Sequence, residues 1–254
     1  MKVALIQTSL IWENPLENRS HLAQKITGFM EDVDLIVLPE MFSSGFTMDP
    51  KSVAEKMDGE TVSWLQHLAK AKDCAITGSL VIEEAGSYYN RLLFVYPSGE
   101  IKWYDKRHLF TLSGEHKHYA AGENRLIVDY KGFKICPLIC YDLRFPVFSR
   151  NTENYDVLIY VANWPKPRVT AWDILLKARA VENMCYVIGV NRIGSDHNKH
   201  DYVGHSQVVN FLGEYILEPQ EADSVFIVEL DKIKLMETRE KLAFLNDRDS
   251  FKLI

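Results

Sequence analysis

No block of five or more basic residues occurs in the 254-residue chain, and its formal charge is −6 at pH 7. A nucleic-acid partner, which needs a basic face against the phosphates, is not expected. No apolar run approaches the roughly 18 residues of a membrane span. The opening Met1-Lys-Val-Ala-Leu-Ile-Gln-Thr8 reads as a short strand without a signal-peptide pattern. A soluble cytoplasmic protein with no membrane partner is the expectation. Cysteine is scarce, with four residues at 74, 136, 140 and 185. Cys136 and Cys140 fall on one expected strand, about 13 Å apart at roughly 3.3 Å per residue, too far for a disulfide. Their spacing also fails as a zinc motif. Linkers, low-complexity tracts and internal repeats are missing, so one domain over residues 1–254 is expected.

What is present is ample core material. Apolar residues make up 47% of the chain and charged residues 25%, an ordinary soluble balance. Strand-like runs recur at 2–8, 34–38, 74–82, 88–96, 126–130, 133–139, 157–161, 185–191, 206–211 and 224–229. Asn14-Pro15-Leu-Glu17 carries a helix start, with a cap, a first-turn proline and an acidic third position. The helix that follows places Leu22, Ile26, Phe29 and Met30 on one face. A second helix runs from Thr61 to Lys72. A third, 170–184, opens on the capping pattern Thr170-Ala-Trp-Asp173 and is expected to bury Trp172, Leu175, Leu176, Ala180 and Val181. Turns at Ala85-Gly86-Ser87 and Leu212-Gly213-Glu214 imply antiparallel hairpins, while other strands need helical crossovers. The mixture predicts two stacked mixed sheets with helices outside. Pro137 is awkward in a central strand and predicts a bulge there.

The chemistry concentrates where apolar runs stop. Lys134-Ile-Cys-Pro-Leu-Ile-Cys-Tyr-Asp-Leu-Arg-Phe-Pro146 is an apolar strand that ends on Cys140 before a polar turn. Such a junction presents a side chain outward, and a thiol there becomes a nucleophile when a base and a cation stand beside it. Asp34-Leu-Ile-Val-Leu-Pro-Glu40 ends another apolar run on a carboxylate, a candidate general base. Tyr104-Asp-Lys106-Arg-His-Leu-Phe110 offers a cation that would stabilise a thiolate and an oxyanion. Ser113-Gly-Glu115-His116 offers a second carboxylate. Each residue alone reads equally as a strand-end or surface group, and only a fold brings them together. His116-x-His118 and Asp196-His197-x-x-His200-Asp201 match no metalloenzyme spacing and read as exposed loops. A papain-like partner for Cys140 would have to be His108 or His205.

These segments resemble, in order and chemistry, the Glu-Lys-Cys motifs of the carbon–nitrogen hydrolases of the nitrilase superfamily. The likeness runs from residue 2 to about 248. It implies an α/β four-layer α-β-β-α sandwich with Glu40, Lys106, Cys140 and Glu115 as catalytic residues. It also implies an oxyanion site between Lys106 and the Tyr141 backbone N–H, with no metal and no organic cofactor. Tyr160-Val-Ala-Asn-Trp-Pro165, the helix over 172–183 and Ile188-Gly-Val-Asn-Arg-Ile-Gly-Ser-Asp196 resemble the omega-amidase branch. That branch implies a small 2-oxo acid amide as substrate, 2-oxoglutaramate or 2-oxosuccinamate, and release of ammonia through a cysteine thioester. A homodimer is implied, paired across an outer helical layer. Trp164 is a candidate pocket wall or core residue. Arg144, Lys166, Arg168 and Arg192 are candidate anchors for the substrate carboxylate. Two alternatives stay open: a hydrolase of another C–N substrate such as a nitrile, aliphatic amide or N-carbamoyl compound, and a catalytically silent binding scaffold.

Overall fold

The computed structural model describes residues 1–251; residues 252–254, the end of the expected unit, lie outside that description. The first half of the chain contributes strands β1 (Lys2–Gln7), β2 (Leu35–Val37), β3 (Ala75–Glu84), β4 (Ser87–Val95) and β5 (Ile101–Asp105), and helices α1 (Pro15–Gly28), α2 (Pro50–Val53) and α3 (Glu60–Lys72). The second half contributes β6 (Val128–Tyr130), β7 (Phe133–Ile139), β8 (Val157–Ala162), helix α4 (Val169–Asn183) and β9 (Tyr186–Asn191). It continues through β10 (Ile193–Ser195), β11 (Asp201–Val203), β12 (Ser206–Val209), β13 (Tyr215–Gln220) and β14 (Ser224–Glu229) to helix α5 (Lys232–Leu242). One six-stranded sheet has the order β14-β1-β2-β3-β4-β5, the other β13-β12-β9-β8-β7-β6. The strand pairs β10 and β11 form a separate hairpin.

Alternation along β1 shows how the layers stack. Val3 and Leu5 join a core with Ile135, Leu138 and Val161 of the second sheet, while Ala4 and Ile6 pack with Leu22 and Ile26 of α1 and Val62 and Leu65 of α3. A strand buried on both faces reads as an unbroken apolar run, which is why no polar alternation marks it in the sequence. Trp172, Leu176 and Ala180 of α4 and Leu235 of α5 cover the second sheet from its other side. The result is the four-layer α-β-β-α sandwich.

The local details agree in part. Asn14 caps α1, its Oδ1 accepting from Glu17 N at 3.2 Å. Glu84 pairs Ser87 across the two-residue turn Ala85-Gly86, both residues at positive φ, the backbone such a tight hairpin requires. Four expectations are corrected. Met30 is exposed rather than on the buried face of α1, because α1 ends at Gly28. Val181 is also exposed. Helix α4 begins before Thr170, at Val169, and no side chain caps it. The strand β7 pairs with β8 without a register shift through Pro137, so there is no bulge. Pairing with β6 reaches only Ile135, which leaves Pro137 with a ladder neighbour on one side alone. The distortion comes three residues later, at Cys140, whose φ is +42°.

Strands β1–β3 run parallel to one another, as do β7–β9. The carboxyl ends of β2, β7 and β8 therefore deliver Glu40, Cys140 and Asn163 to one rim, the usual place for ligands in α/β sheets. The Glu40 loop is stitched across Gly78 of β3: Leu38 N donates to Thr77 O, Met41 N to Ser79 Oγ and Phe42 N to Ser79 O. A Cβ at Gly78 would stand 2.7 Å from Leu38 Cβ and 3.0 Å from Phe42 Cδ1. Gly78→Ala is expected to lose about 1–3 kcal/mol through overpacking and to shift the Glu40 loop. Thermal unfolding checks this, and an unchanged Tm contradicts it.

Candidate active site

At that rim Lys106 is fully buried between two fully buried carboxylates. Its Nζ donates to Glu40 Oε1 at 2.8 Å and to Glu115 Oε1 and Oε2 at 3.1 and 3.0 Å. Asn90, a polar interruption in the apolar run of β4, donates Nδ2 to Glu40 Oε1 at 2.9 Å and to Glu115 Oε1 at 3.4 Å. Glu40 Oε2 accepts from the Asn163 backbone N–H at 2.8 Å. The Phe110 N–H donates to Glu115 Oε2 at 2.5 Å. Every oxygen of the two carboxylates thus has a donor, which buried charges require.

Cys140 opens a short 3₁₀ turn, Cys140–Arg144, directly after β7. It is partly exposed, while Cys74, Cys136 and Cys185 are buried. Burial of its sulfur pushes the thiol pKa well above the ordinary range, the Glu40 charge raises it further, and Lys106 pulls it back. The Asn163 backbone N–H lowers it as well, though less. Desolvation works against the Lys106 charge, but Glu115 and then Glu40 outweigh it and raise its pKa. Burial, against the pull of Lys106, raises Glu115. Lys106 is held by its two carboxylates, and the balance of burial and the Glu40 charge against Lys106 favours the thiol form of Cys140. Neither histidine proposed as a partner reaches Cys140: His108 bonds Asp142, and His205 sits between Asp173 and Glu221.

Above Cys140 opens a cavity of about 670 Å³. Trp164, Arg144 and Arg168 line it, with Arg144 over the Trp164 ring at 5.0 Å and Arg168 over the Phe110 ring at 5.2 Å. Neither arginine forms an ion pair among the described residues. Trp164 is wall and core at once, because its other contact is Trp172 at 5.5 Å. Lys166 is exposed and does not line the cavity. Arg192 is buried behind it, donating to the carbonyls of Leu10, Ile193 and Ser195 and lying over the Tyr202 ring. His197 and His200 belong to the cavity wall, carried there by the β10–β11 hairpin. Trp12, Phe46 and Met48 complete it from loops that sequence reasoning passed over. Asn163 was also missed, though like Glu40 and Cys140 it follows an apolar strand.

Replacing Lys106 by Met strands two carboxylates in the core, a loss on the order of 3–5 kcal/mol. Glu115, already raised by burial against the pull of Lys106, then titrates still further above its unfolded value. Such groups contribute stability below the unfolded pKa of about 4.3 and lose it as pH rises through the folded one. The Tm gap between wild type and Lys106→Met is therefore expected to widen from acid to neutral pH. A gap independent of pH contradicts the buried-pair account.

Comparison with known proteins agrees with this geometry. The chain is 44% identical over 254 residues to the omega-amidase YafV of Escherichia coli K12, covering 100% of this chain and 98% of that one. It is 32% identical over 250 residues to the 2-oxoglutaramate amidase of Bacillus subtilis 168, covering 96% of each. A solved structure, XC1258 from Xanthomonas campestris, a CN-hydrolase superfamily protein with an arsenic adduct in its active site, superposes with a TM-score of 0.97. Its sequence identity is 42%, over 100% of this chain and 99% of that one. The carbon-nitrogen hydrolase family model matches residues 2–240, and the chain belongs to that family.

Proposed function

We propose that this carbon–nitrogen hydrolase is an omega-amidase-like enzyme that releases ammonia from the terminal amide of small 2-oxo acids, 2-oxoglutaramate or 2-oxosuccinamate. The observation that carries the chemistry is the buried network in which Lys106 joins Glu40 at 2.8 Å to Glu115 at 3.0 and 3.1 Å, at the rim where β7 ends on Cys140. The relatives named as omega-amidase and 2-oxoglutaramate amidase support the substrate class.

The residues balance a two-step reaction. As the Cys140 sulfur bonds the amide carbon, its proton passes to Glu40. The carbonyl oxygen gains charge between Lys106 Nζ and the Tyr141 N–H, which lies in the first turn, where backbone donors lack an intrahelical acceptor. Glu40 returns the proton to the leaving nitrogen as the C–N bond breaks, leaving an acyl thioester and ammonia. A water then loses its proton to Glu40, attacks the thioester and frees the acid, and the thiolate recovers that proton. Glu115 keeps Lys106 in place while Glu40 cycles between charged and neutral. Arg144 and Arg168 are the cations that meet the distal carboxylate, with Trp164 as the wall between them and Cys140.

The protein is proposed to act in the cytoplasm as one hydrolase domain and as a homodimer. Ile174 and Val181 lie seven residues apart on the outer face of α4, both exposed, and Leu212 is exposed in the turn whose Gly213 abuts Val181. A second copy burying this face supplies a closed two-fold pair. Light scattering at micromolar concentration is expected to show the dimer, and a monomer contradicts this pairing.

Cys140→Ala and Cys140→Ser are expected to be inactive, and Glu40→Gln to lose at least the 10²–10⁴-fold of about one acid–base group. For wild type, kcat/KM on either oxo acid amide is expected to exceed that on a neutral aliphatic amide or nitrile by about a hundredfold, roughly 2.7 kcal/mol. Arg168→Gln narrows that ratio. Activity in Cys140→Ala ends the mechanism; equal rates across the panel end the substrate assignment and leave the family.

A further inference from the structure

Asp142 follows Cys140 by two residues, is fully buried and does not line the cavity. Its carboxylate takes no part in the reaction above, yet it accepts four hydrogen bonds. Oδ2 accepts from the Ile139 N–H at 3.0 Å and from the Tyr104 hydroxyl at 2.8 Å. Oδ1 accepts from the His108 N–H at 3.1 Å and pairs with His108 Nδ1 at 2.8 Å. Tyr104 and His108 are two residues to either side of Lys106. Ile139 is the residue before Cys140. One carboxylate therefore joins the nucleophile's turn to the segment that carries the cation, and it does so from both sides of each.

The turn needs such a clamp. Cys140 holds a φ of +42°, a left-handed backbone that costs a non-glycine residue about 1–3 kcal/mol and persists only where the surroundings over-determine it. The Tyr104 hydroxyl also accepts from the Arg107 N–H at 2.9 Å, which ties the two sides of Lys106 to each other within the segment. Burial first, and then the Asp142 charge, keeps Tyr104 protonated and therefore a donor. His108 stacks on Phe145 at 3.7 Å, which fixes its ring against the far end of the same turn.

We propose that Asp142 is a positioning residue that sets the placement of the Cys140 sulfur relative to Lys106, with Tyr104 and His108 as its two clasps. It touches neither substrate nor the reacting atoms. The inference rests on the assignment of Cys140 and Lys106 above.

Asp142→Asn turns an amide N–H₂ toward one of the two donor pairs, so one clasp opens while the volume is kept. The comparison variant is Asp156→Asn. Asp156 is a buried carboxylate at the opposite end of the same strands, accepting from Lys134 N at 2.8 Å and Arg239 Nη1 at 2.9 Å. Both variants lose a buried carboxylate, but only Asp142→Asn disturbs the site. It is expected to lower kcat about a hundredfold, the scale of a misplacement near 1 Å, with KM within about threefold of wild type. Iodoacetamide alkylation at fixed pH is expected to slow about tenfold, and it reports Cys140 because the other thiols are buried. Tyr104→Phe removes one bond and is expected to give a smaller change in the same direction. Asp156→Asn is expected to lower Tm and leave kcat and alkylation near wild type. A folded Asp142→Asn with wild-type kcat and alkylation overturns the proposal. So does Asp156→Asn with equal losses. Should Asp142→Asn fail to fold, Tyr104→Phe decides, and unchanged kcat and alkylation overturn it. Full activity in wild type after Cys140 is alkylated would instead sink the underlying assignment.

Discussion

An ammonium held between two carboxylates, all three out of water, is the interaction on which the remainder of the site depends. Each such charge costs several kcal/mol to desolvate, and the set is tolerable only because every lone pair and proton finds a partner. Those partners come from both sheets. Glu40 and Lys106 follow strands β2 and β5 of the first sheet, and Asn163, which holds Glu40 Oε2, follows β8 of the second. The ion network therefore fixes how the two sheets sit at their carboxyl rim, and the sheets in turn fix Cys140 against it. Electrically the network carries two negative charges against one positive. A thiolate would make it three against one, which disfavours loss of the proton from sulfur. The proposed pairing of a neutral thiol with a carboxylate base, rather than a permanently charged nucleophile, accords with that count.

Strain is placed where the chemistry is. Met41, beside Glu40, and Cys140 both adopt positive φ, at 45° and 42°. Met41 lies four residues after β2 and Cys140 directly after β7, and each is fastened by a buried side chain: Ser79 of β3 beneath the Glu40 loop and Asp142 within the Cys140 turn itself. Gly78 permits the first close approach. A rigid sandwich supplies the fastening points, and the loops carry the reacting groups in backbone shapes they would not adopt alone.

Much of this was legible in the chain because buried strands are long apolar runs and functional groups interrupt them. Glu40 and Cys140 stand out for that reason, and the β3–β4 hairpin is marked by Ala85-Gly86. Glu115 was visible only as a second carboxylate, and its role came through family resemblance, since a carboxylate after a glycine in a loop carries no geometry of its own. Asn90 was illegible because its partners lie 50 and 25 residues away. The strand β5 escaped because it is an edge strand with Lys102 and an exposed Trp103 breaking its pattern. Helix α5 escaped because only Leu235 is buried along it. The cavity wall at Trp12, Phe46 and the β10–β11 hairpin is assembled from distant loops, where no periodicity points inward. Among the cations near Trp164, local sequence could not separate Arg168, which faces the cavity, from Lys166, which faces solvent.

The central claim is that the charge of Lys106 is balanced by Glu40 and Glu115, leaving Cys140 neutral at rest. The direct measurement is the ultraviolet absorbance of thiolate, taken as the difference between wild type and Cys140→Ala across the pH range in which the enzyme is folded. The account predicts no thiolate signal from Cys140 at neutral pH, with the band appearing only well above the ordinary thiol range. A full thiolate band at neutral pH would contradict it.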